Sequence, residues 1–149
     1  MKLKHICTPT KVARSGMPVG EAMRECVEQN VPGIPYIDGT GEVVGRFSVR
    51  HLFLLCCVPR DVIQGAHLLG EDLEHIDFPQ VKMRELMAQS VDDFIFPHVI
   101  RLSPNFQAIK ALAIMEQANT GYLFVLDGEE YRGVVTRMGI AQVVLADAC

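Results

Sequence analysis

The sequence is poor in several features that would point to a membrane, an extracellular compartment or a disulfide framework. It has no tryptophan and no Cys-x-x-Cys pair, and its longest apolar run, residues 52–58, is far shorter than the ~20 residues of a membrane helix. We therefore expect no direct membrane insertion. The five cysteines are odd in number and irregularly spaced, which argues against paired disulfides and favours a reducing, cytoplasmic location. They are Cys7, Cys26, Cys56, Cys57 and Cys149.

Basic residues are also in short supply. The formal net charge is −4, from 14 Lys and Arg against 18 Asp and Glu. Broad nucleic-acid binding depends on clustered cations that neutralise phosphates, so no nucleic-acid partner is predicted. The N-terminal stretch is basic but has no apolar segment after it, and we expect no signal peptide.

Motifs of catalysis and metal binding are missing as well. The sequence has no nucleophile elbow, no Walker loop and no HExxH, so no catalytic residue is predicted and the protein is not expected to be an enzyme. His67 and His75 have helical spacing but no third ligand at an obvious distance, so no metal site is predicted. The acidic run at residues 71–77 is interpreted as a solvated helix face, with a divalent cation as the alternative.

The clearest positive feature is an internal repeat. The chain has 149 residues, 49% of them apolar, enough for a core of ordinary size. Residues 19–38 and 108–127 share one layout: a stretch of helical periodicity, then a short apolar strand. The identities fall within the helix, at its end and at the end of the strand: Ala22 with Ala111, Asn30 with Asn119, and Asp38 with Asp127.

Each copy continues in the same way. A glycine-containing turn, GTGE or GEE, predicts a hairpin to a second strand, VVGRFS or YRGVVT, and a second helix follows. The predicted apolar stripes of the first helices are Ala22, Met23, Cys26 and Val27 in one copy, and Ala108, Ala111, Leu112 and Met115 in the other.

Between the copies the pattern is less regular. Residues 59–80 favour a helix that ends before Pro79, and residues 81–87 favour a further helical turn. Residues 94–104 are expected to be extended, because Pro97 and Pro104 disfavour helix in the residues before them. Ser103 is expected to be a helix N-cap or a turn residue.

The order of helix, IPYID, glycine turn and VVGRFSVRHL resembles a cystathionine β-synthase (CBS) domain, and LFVLD with GVVTRMG resembles a second one. The resemblance implies an α/β (α+β) fold of two CBS repeats related by a pseudo-two-fold axis, each a small sheet packed against two helices. The boundaries that follow are 1–58 for the first repeat, 59–80 for an inter-repeat helical insertion and 81–149 for the second repeat.

The resemblance also implies a function. Such pairs, called Bateman modules, hold adenosine-containing ligands such as AMP, ADP, ATP or S-adenosylmethionine in clefts between the repeats. They act as regulatory, signalling modules and often assemble as dimers. A homodimer and an unidentified protein target are therefore expected, with no required cofactor.

The candidate ligand-binding residues follow from the chemistry of such a cleft. Phosphates favour backbone N–H groups at a helix start together with Arg or His, and a glycine in the preceding strand permits close approach. The candidates are Gly45, Arg46, Ser48, Arg50, His51, His98, Gly133, Val134, Thr136 and Arg137.

Two positions depart from the family pattern. The family pattern has a ribose-binding acid three residues after each hydroxyl. In this sequence the position after Ser48 is occupied by His51, and the position after Thr136 by Gly139. Two interpretations therefore stay open: a ligand sensor, or a scaffold that acts only in dimerisation or protein interaction. The hydroxyls of Ser48 and Thr136 also have two interpretations: they contact a ligand, or they only cap the helices that follow. The arginines beside them either lie in the clefts or belong to a face that contacts solvent or a second subunit.

Overall fold

The computed structural model describes residues 1–58, 62–65, 77–78 and 80–148. Residues 62–65 are helical, but most of the helix predicted over 59–80 lies outside the described residues.

The first repeat forms a three-stranded sheet with two helices. Strand β1 (Ala13–Arg14) pairs in parallel with β2 (Gly33–Ile37), and β2 pairs antiparallel with β3 (Val43–Ser48). Helix α1 (Val19–Gln29) connects β1 to β2, and α2 (Val49–Cys56) starts directly after β3.

The second repeat has the same plan. Helix α3 (Gln80–Ala88), which confirms the predicted helical turn, and a 3₁₀ turn over Val91–Phe94 precede it. Strands β4 (Arg101–Leu102), β5 (Tyr122–Asp127) and β6 (Glu130–Thr136) form the sheet. Helix α4 (Ala108–Ala118) connects β4 to β5, and α5 (Arg137–Ala148) follows β6. The predicted mixed fold of two repeats is confirmed.

The ends of α1 and α4 show why the two asparagines recur. Asn30 and Asn119 both adopt the left-handed conformation, with φ of 54° and 51°. Their backbone N–H groups point back to the last carbonyls of each helix, and asparagine tolerates this conformation better than most non-glycine residues. Each helix therefore stops one residue before its asparagine. In contrast, Ser103 accepts a hydrogen bond from the backbone N–H of Asn105 and is a turn residue, not the cap of α4.

The apolar stripe predicted for α1 is partly wrong. Ala22 and Cys26 are buried, but Val27 is 73% exposed, whereas Glu25 is only 6% exposed. The buried face of α1 lies toward Val19, Ala22 and Cys26, and it carries Glu25 inward because the backbone N–H of Lys11 donates to Glu25 Oε2 at 2.7 Å. A buried carboxylate with such a donor is tolerated where an unpaired one is not.

The repeats exchange the segments that lead into them. Thr8 and Val134 of β6 donate to each other's backbone carbonyls at 2.8 and 2.9 Å, and Arg46 of β3 pairs in the same way with Phe96. The chain before β1 thus pairs with the second sheet, and the chain before β4 pairs with the first sheet. These reciprocal bonds couple the repeats through the backbone. Among the described residues, no helix has the length and apolar character needed to cross a membrane.

Candidate functional site

The two strand-to-helix hinges have the same local geometry. Ser48 Oγ accepts the backbone N–H of His51 at 3.4 Å, and Thr136 Oγ1 accepts that of Gly139 at 2.9 Å. Both hydroxyls therefore cap the helices that follow them, as the N-cap interpretation predicted. A capping hydroxyl uses its oxygen as an acceptor and keeps its own proton available for donation.

A cleft of about 630 Å³ lies between these hinges. Its walls come from both repeats: the end of α1, the start of α2, and the start of α5. Of the predicted residues, it brings together Arg50, Thr136 and Arg137. The exposed Val27 of α1 also lines it. The rest of the lining is mainly apolar: Cys26, Val31, Pro32, Val49, Phe53 and Met138, with Asn30 and Gly121.

Next to the cleft, Arg46 and His51 lie against two aromatic side chains of the second repeat. The Arg46 guanidinium carbon is 5.4 Å from the ring centroid of Tyr122, and the ring centroids of His51 and Phe96 are 3.9 Å apart. Three buried polar atoms here have no hydrogen-bond partner among the described residues: Arg46 Nε, His51 Nδ1 and the Tyr122 hydroxyl. Buried polar atoms are normally paired, so this set marks a site where a partner belongs.

The electrostatics of this group follow from its burial and its positive charge. Burial lowers the pKa of His51, and the charges of Arg46 and Arg50 lower it further. Burial raises the pKa of the Tyr122 phenol, while the positive charge of Arg46 and the nearby Ser48 hydroxyl, which is too poorly placed for a regular hydrogen bond, act in the opposite direction. Both side chains are thus neutral near pH 7, and Arg46 supplies the positive charge between them.

At Gly45 and Gly133, the atoms that approach the strand closely belong to other segments of the protein backbone. A Cβ on Gly45 would lie 2.7 Å from the carbonyl oxygen of Phe96, and one on Gly133 would lie 2.6 Å from that of Thr8. The neighbouring Val134 is buried and pairs with Thr8. Gly45, Gly133 and Val134 therefore contact the exchanged segments.

We call Arg46, His51 and Tyr122, the residues with unpaired buried atoms, the cluster. His98 and Arg137 lie outside it. His98 is exposed, two residues beyond Phe96. Arg137 donates to Glu116 at 2.8 Å and to the Thr120 carbonyl at 3.3 Å, so its cleft position is held by α4 and the loop that follows it.

Sequence reasoning missed Tyr122 and Phe96. In the repeat alignment Tyr122 is equivalent to Gly33, and the two meet: a Cβ on Gly33 would lie 2.6 Å from the Tyr122 hydroxyl oxygen. An aromatic residue in one repeat opposite a glycine in the other is the signal that was available. Phe96 had none, because its role depends on the exchange of lead-in segments.

Comparison with known proteins agrees with this architecture. The CBS domain model matches residues 3–56 and 91–146. Among solved structures, CBSX2 in complex with AMP has a TM-score of 0.66 at 20% identity, covering 99% of this chain and 98% of that one. The CBS domain pair of MJ0100, in complex with 5′-methylthioadenosine and S-adenosyl-L-methionine, has a TM-score of 0.63 at 15% identity, covering 99% and 98%.

A CBS domain-containing protein from Bacillus anthracis has a TM-score of 0.65 at 15% identity, covering 98% of this chain and 94% of its own. No curated protein matches the sequence. At these identities the solved structures establish the fold, while the family assignment comes from the two domain matches. The chain belongs to the CBS domain family and carries two copies of the domain, in residues 3–56 and 91–146.

Proposed function

We propose that the protein is a regulatory module that binds an adenosine-containing ligand in the cleft between its two hinges. The observation that carries this proposal is the 630 Å³ cleft with Arg50 of one repeat and Arg137 of the other in its walls. This volume lies in the ~300–1,000 Å³ range of small-molecule sites. CBSX2 and MJ0100 are relatives in fold whose structures contain AMP, and 5′-methylthioadenosine with S-adenosylmethionine, respectively.

The lining has the groups that such a ligand requires. The apolar wall formed by Val31, Pro32 and Met138 suits the faces of a purine, and the Thr136 hydroxyl suits a ribose oxygen. Arg50 and Arg137 place positive charge in the walls of the cleft, which favours an anionic ligand. Because the cleft has walls from both repeats, a ligand that fills it changes how the repeats pack. It therefore regulates to the extent that it binds one packing more tightly than another.

Calorimetric titration and thermal-shift assays with AMP, ADP, ATP and S-adenosylmethionine test the proposal. We expect saturable binding of at least one ligand, weakened by Arg50→Gln. Arg132→Gln is the matched control, because Arg132 pairs with Asp127 and Glu130 away from the cleft. Neither heat nor thermal shift with any of the four ligands at millimolar concentration would remove the sensor function.

The output of the module is proposed to be assembly as a homodimer in the cytoplasm. Helix α5 buries only Ile140, whereas Val144 and Leu145 are 50% and 66% exposed. Exposed apolar side chains on one helix favour a protein contact. Light scattering of the wild type and of Leu145→Glu tests this, with a dimer expected for the wild type and a monomer for the variant.

The alternative function is a scaffold that forms the homodimer but binds no adenosine-containing ligand. The feature that favours it is the absence of an acid at both family positions, where His51 and Gly139 stand. A wild-type dimer that binds none of the four ligands is the result that this alternative predicts.

A further inference from the structure

The three unpaired atoms form a second element of the site, behind the wall of the cleft. Val49, Arg50 and Gly121 line the cleft and are chain neighbours of Ser48, His51 and Tyr122. Arg46 Nε, His51 Nδ1 and the Tyr122 hydroxyl are buried without partners. Arg46 and His51 are each partly exposed as whole residues, so solvent reaches both side chains although these atoms are covered.

The chemistry of the three atoms selects the class of partner. The guanidinium nitrogen and the phenol donate hydrogen bonds, and His51 Nδ1 donates when the imidazole is protonated. Among the described residues, the charges that act on His51 are both positive, from Arg46 of β3 and Arg50 of α2. Tyr122 of β5 lies against Arg46. The segment after the 3₁₀ turn contributes the ring of Phe96 and, two residues on, the exposed His98. A set of donors around a cation recognises an oxyanion.

We propose that Arg46, His51 and Tyr122 bind an oxyanion of the phosphate or sulfate type, and that His51 takes up a proton when the anion binds. As the phosphate site of the ligand this inference rests on the proposed function, but a free oxyanion has the same chemistry. In the family pattern, an acid at this position accepts hydrogen bonds from the ribose hydroxyls. His51, when protonated, would instead bind the negatively charged group of the ligand.

The coupling to protons follows from linkage. Burial and the charges of Arg46 and Arg50 hold the pKa of His51 below its usual value, so the imidazole of the free protein is neutral near pH 7. A dianion placed among these groups offsets both arginine charges and raises the pKa of His51. Binding then takes up a proton, and affinity falls by up to about tenfold per pH unit between the pKa of His51 in the free protein and its raised pKa in the complex.

Calorimetry in two buffers of different ionisation enthalpy measures this proton directly. Inorganic sulfate is the probe, since it remains a dianion throughout the range in which histidine titrates. We expect up to one proton taken up per sulfate bound near pH 7, and affinity that weakens as pH rises. His51→Gln should abolish the proton uptake, whereas His98→Gln, a histidine outside the cluster, should leave it unchanged. Binding without proton uptake, or uptake that survives in His51→Gln, overturns the proposal, as does no sulfate binding at all.

Two further titrations separate this inference from the proposed function. AMP should show a proton uptake that depends on His51 if its phosphate occupies the cluster, whereas adenosine should bind without one. Sulfate binding with proton uptake, together with no binding of any adenosine ligand, supports the anion site and removes the adenosine sensor. Adenosine and AMP that bind equally, with no protons and no effect of His51→Gln, support the sensor and overturn the anion site.

Discussion

The ring of His51 lies 3.9 Å, centroid to centroid, from the ring of Phe96, which belongs to the segment leading into the other repeat. The residue at the family's acidic position is therefore in direct contact with the point where the two repeats exchange chain. A ligand that moves His51 also acts on that exchange, because the backbone of Phe96 pairs with Arg46 at 2.8 and 2.9 Å. If an anion binds at His51 as proposed, this contact links the anion to the packing of the repeats.

Replacing His51 with aspartate restores the family's ribose-binding acid. We expect His51→Asp to bind adenosine more tightly than the wild type does, because a carboxylate accepts hydrogen bonds from both ribose hydroxyls. The same change should weaken sulfate binding, since it places a negative charge beside Arg46. His98→Asp is the matched control and should change neither. Calorimetry with both probes measures the two effects, and unchanged adenosine affinity in His51→Asp would contradict the account.

The buried Tyr122 hydroxyl should lower the stability of the fold, and the proposed anion would give it a hydrogen-bond partner. Because that hydroxyl is buried without a partner, Tyr122→Phe should leave the free energy of unfolding unchanged or raise it by about 1–2 kcal/mol. In the matched variant Tyr131→Phe, loss of the 2.7 Å bond to Thr10 should destabilise the protein by about 1 kcal/mol. Chemical denaturation measures both. A clear destabilisation by Tyr122→Phe would show that the hydroxyl is satisfied in the folded chain.

A methyl group at Gly45 should disturb the exchange of segments. The added Cβ would meet Ile95 Cγ2 at 2.5 Å and the carbonyl oxygen of Phe96 at 2.7 Å, so the lead-in segment has to shift. We expect Gly45→Ala to destabilise the protein by about 1–3 kcal/mol. Gly39→Ala, where a Cβ meets nothing within 4 Å, is the control and should be close to neutral. Equal melting temperatures for the two variants would mean that the exchange contributes little.

Asp92 should make stability depend on acid pH. Hydrogen bonds from Tyr36, Ser15 and the backbone of Gly16 hold the pKa of this carboxylate below its usual value. Its contribution is therefore complete above the unfolded pKa of about 3.9 and is lost as pH falls through the lower, folded pKa. Asp92→Asn should lower the melting temperature at pH 6 and flatten its decline below pH 4. Asp93→Asn, a neighbouring exposed carboxylate, should leave that decline in place.

Local patterns predicted the repeated elements, because those patterns have local causes. The two asparagines adopt the left-handed conformation at equivalent helix ends, and Ser48 and Thr136 cap the helices that the hinge motif predicted. The same reasoning was wrong for Val27, which is exposed. Helical periodicity predicts an apolar face on α1, but it does not show which residues at the margins of that face the sheet covers. Glu25 is buried because of a backbone donor, Lys11, that lies in a different segment of the chain.

The composition of the site was less predictable for a related reason. Arg46, Ser48 and His51 could be found from the hinge motif, but their aromatic neighbours come from residues 96 and 122. Phe96 reaches His51 only because the lead-in segments exchange, and this pairing joins residues far apart in sequence. Gly33 and Tyr122 meet through the packing of one repeat on the other, which no periodicity within a repeat encodes.

The most direct test of the central claim follows the imidazole of His51 by nuclear magnetic resonance while AMP is added. The account predicts that the His51 signals shift in a saturable way and move toward the protonated form, while those of His98 stay in place. Saturable binding of AMP that leaves the His51 signals unchanged would contradict the claim that the hinge of the first repeat holds the ligand.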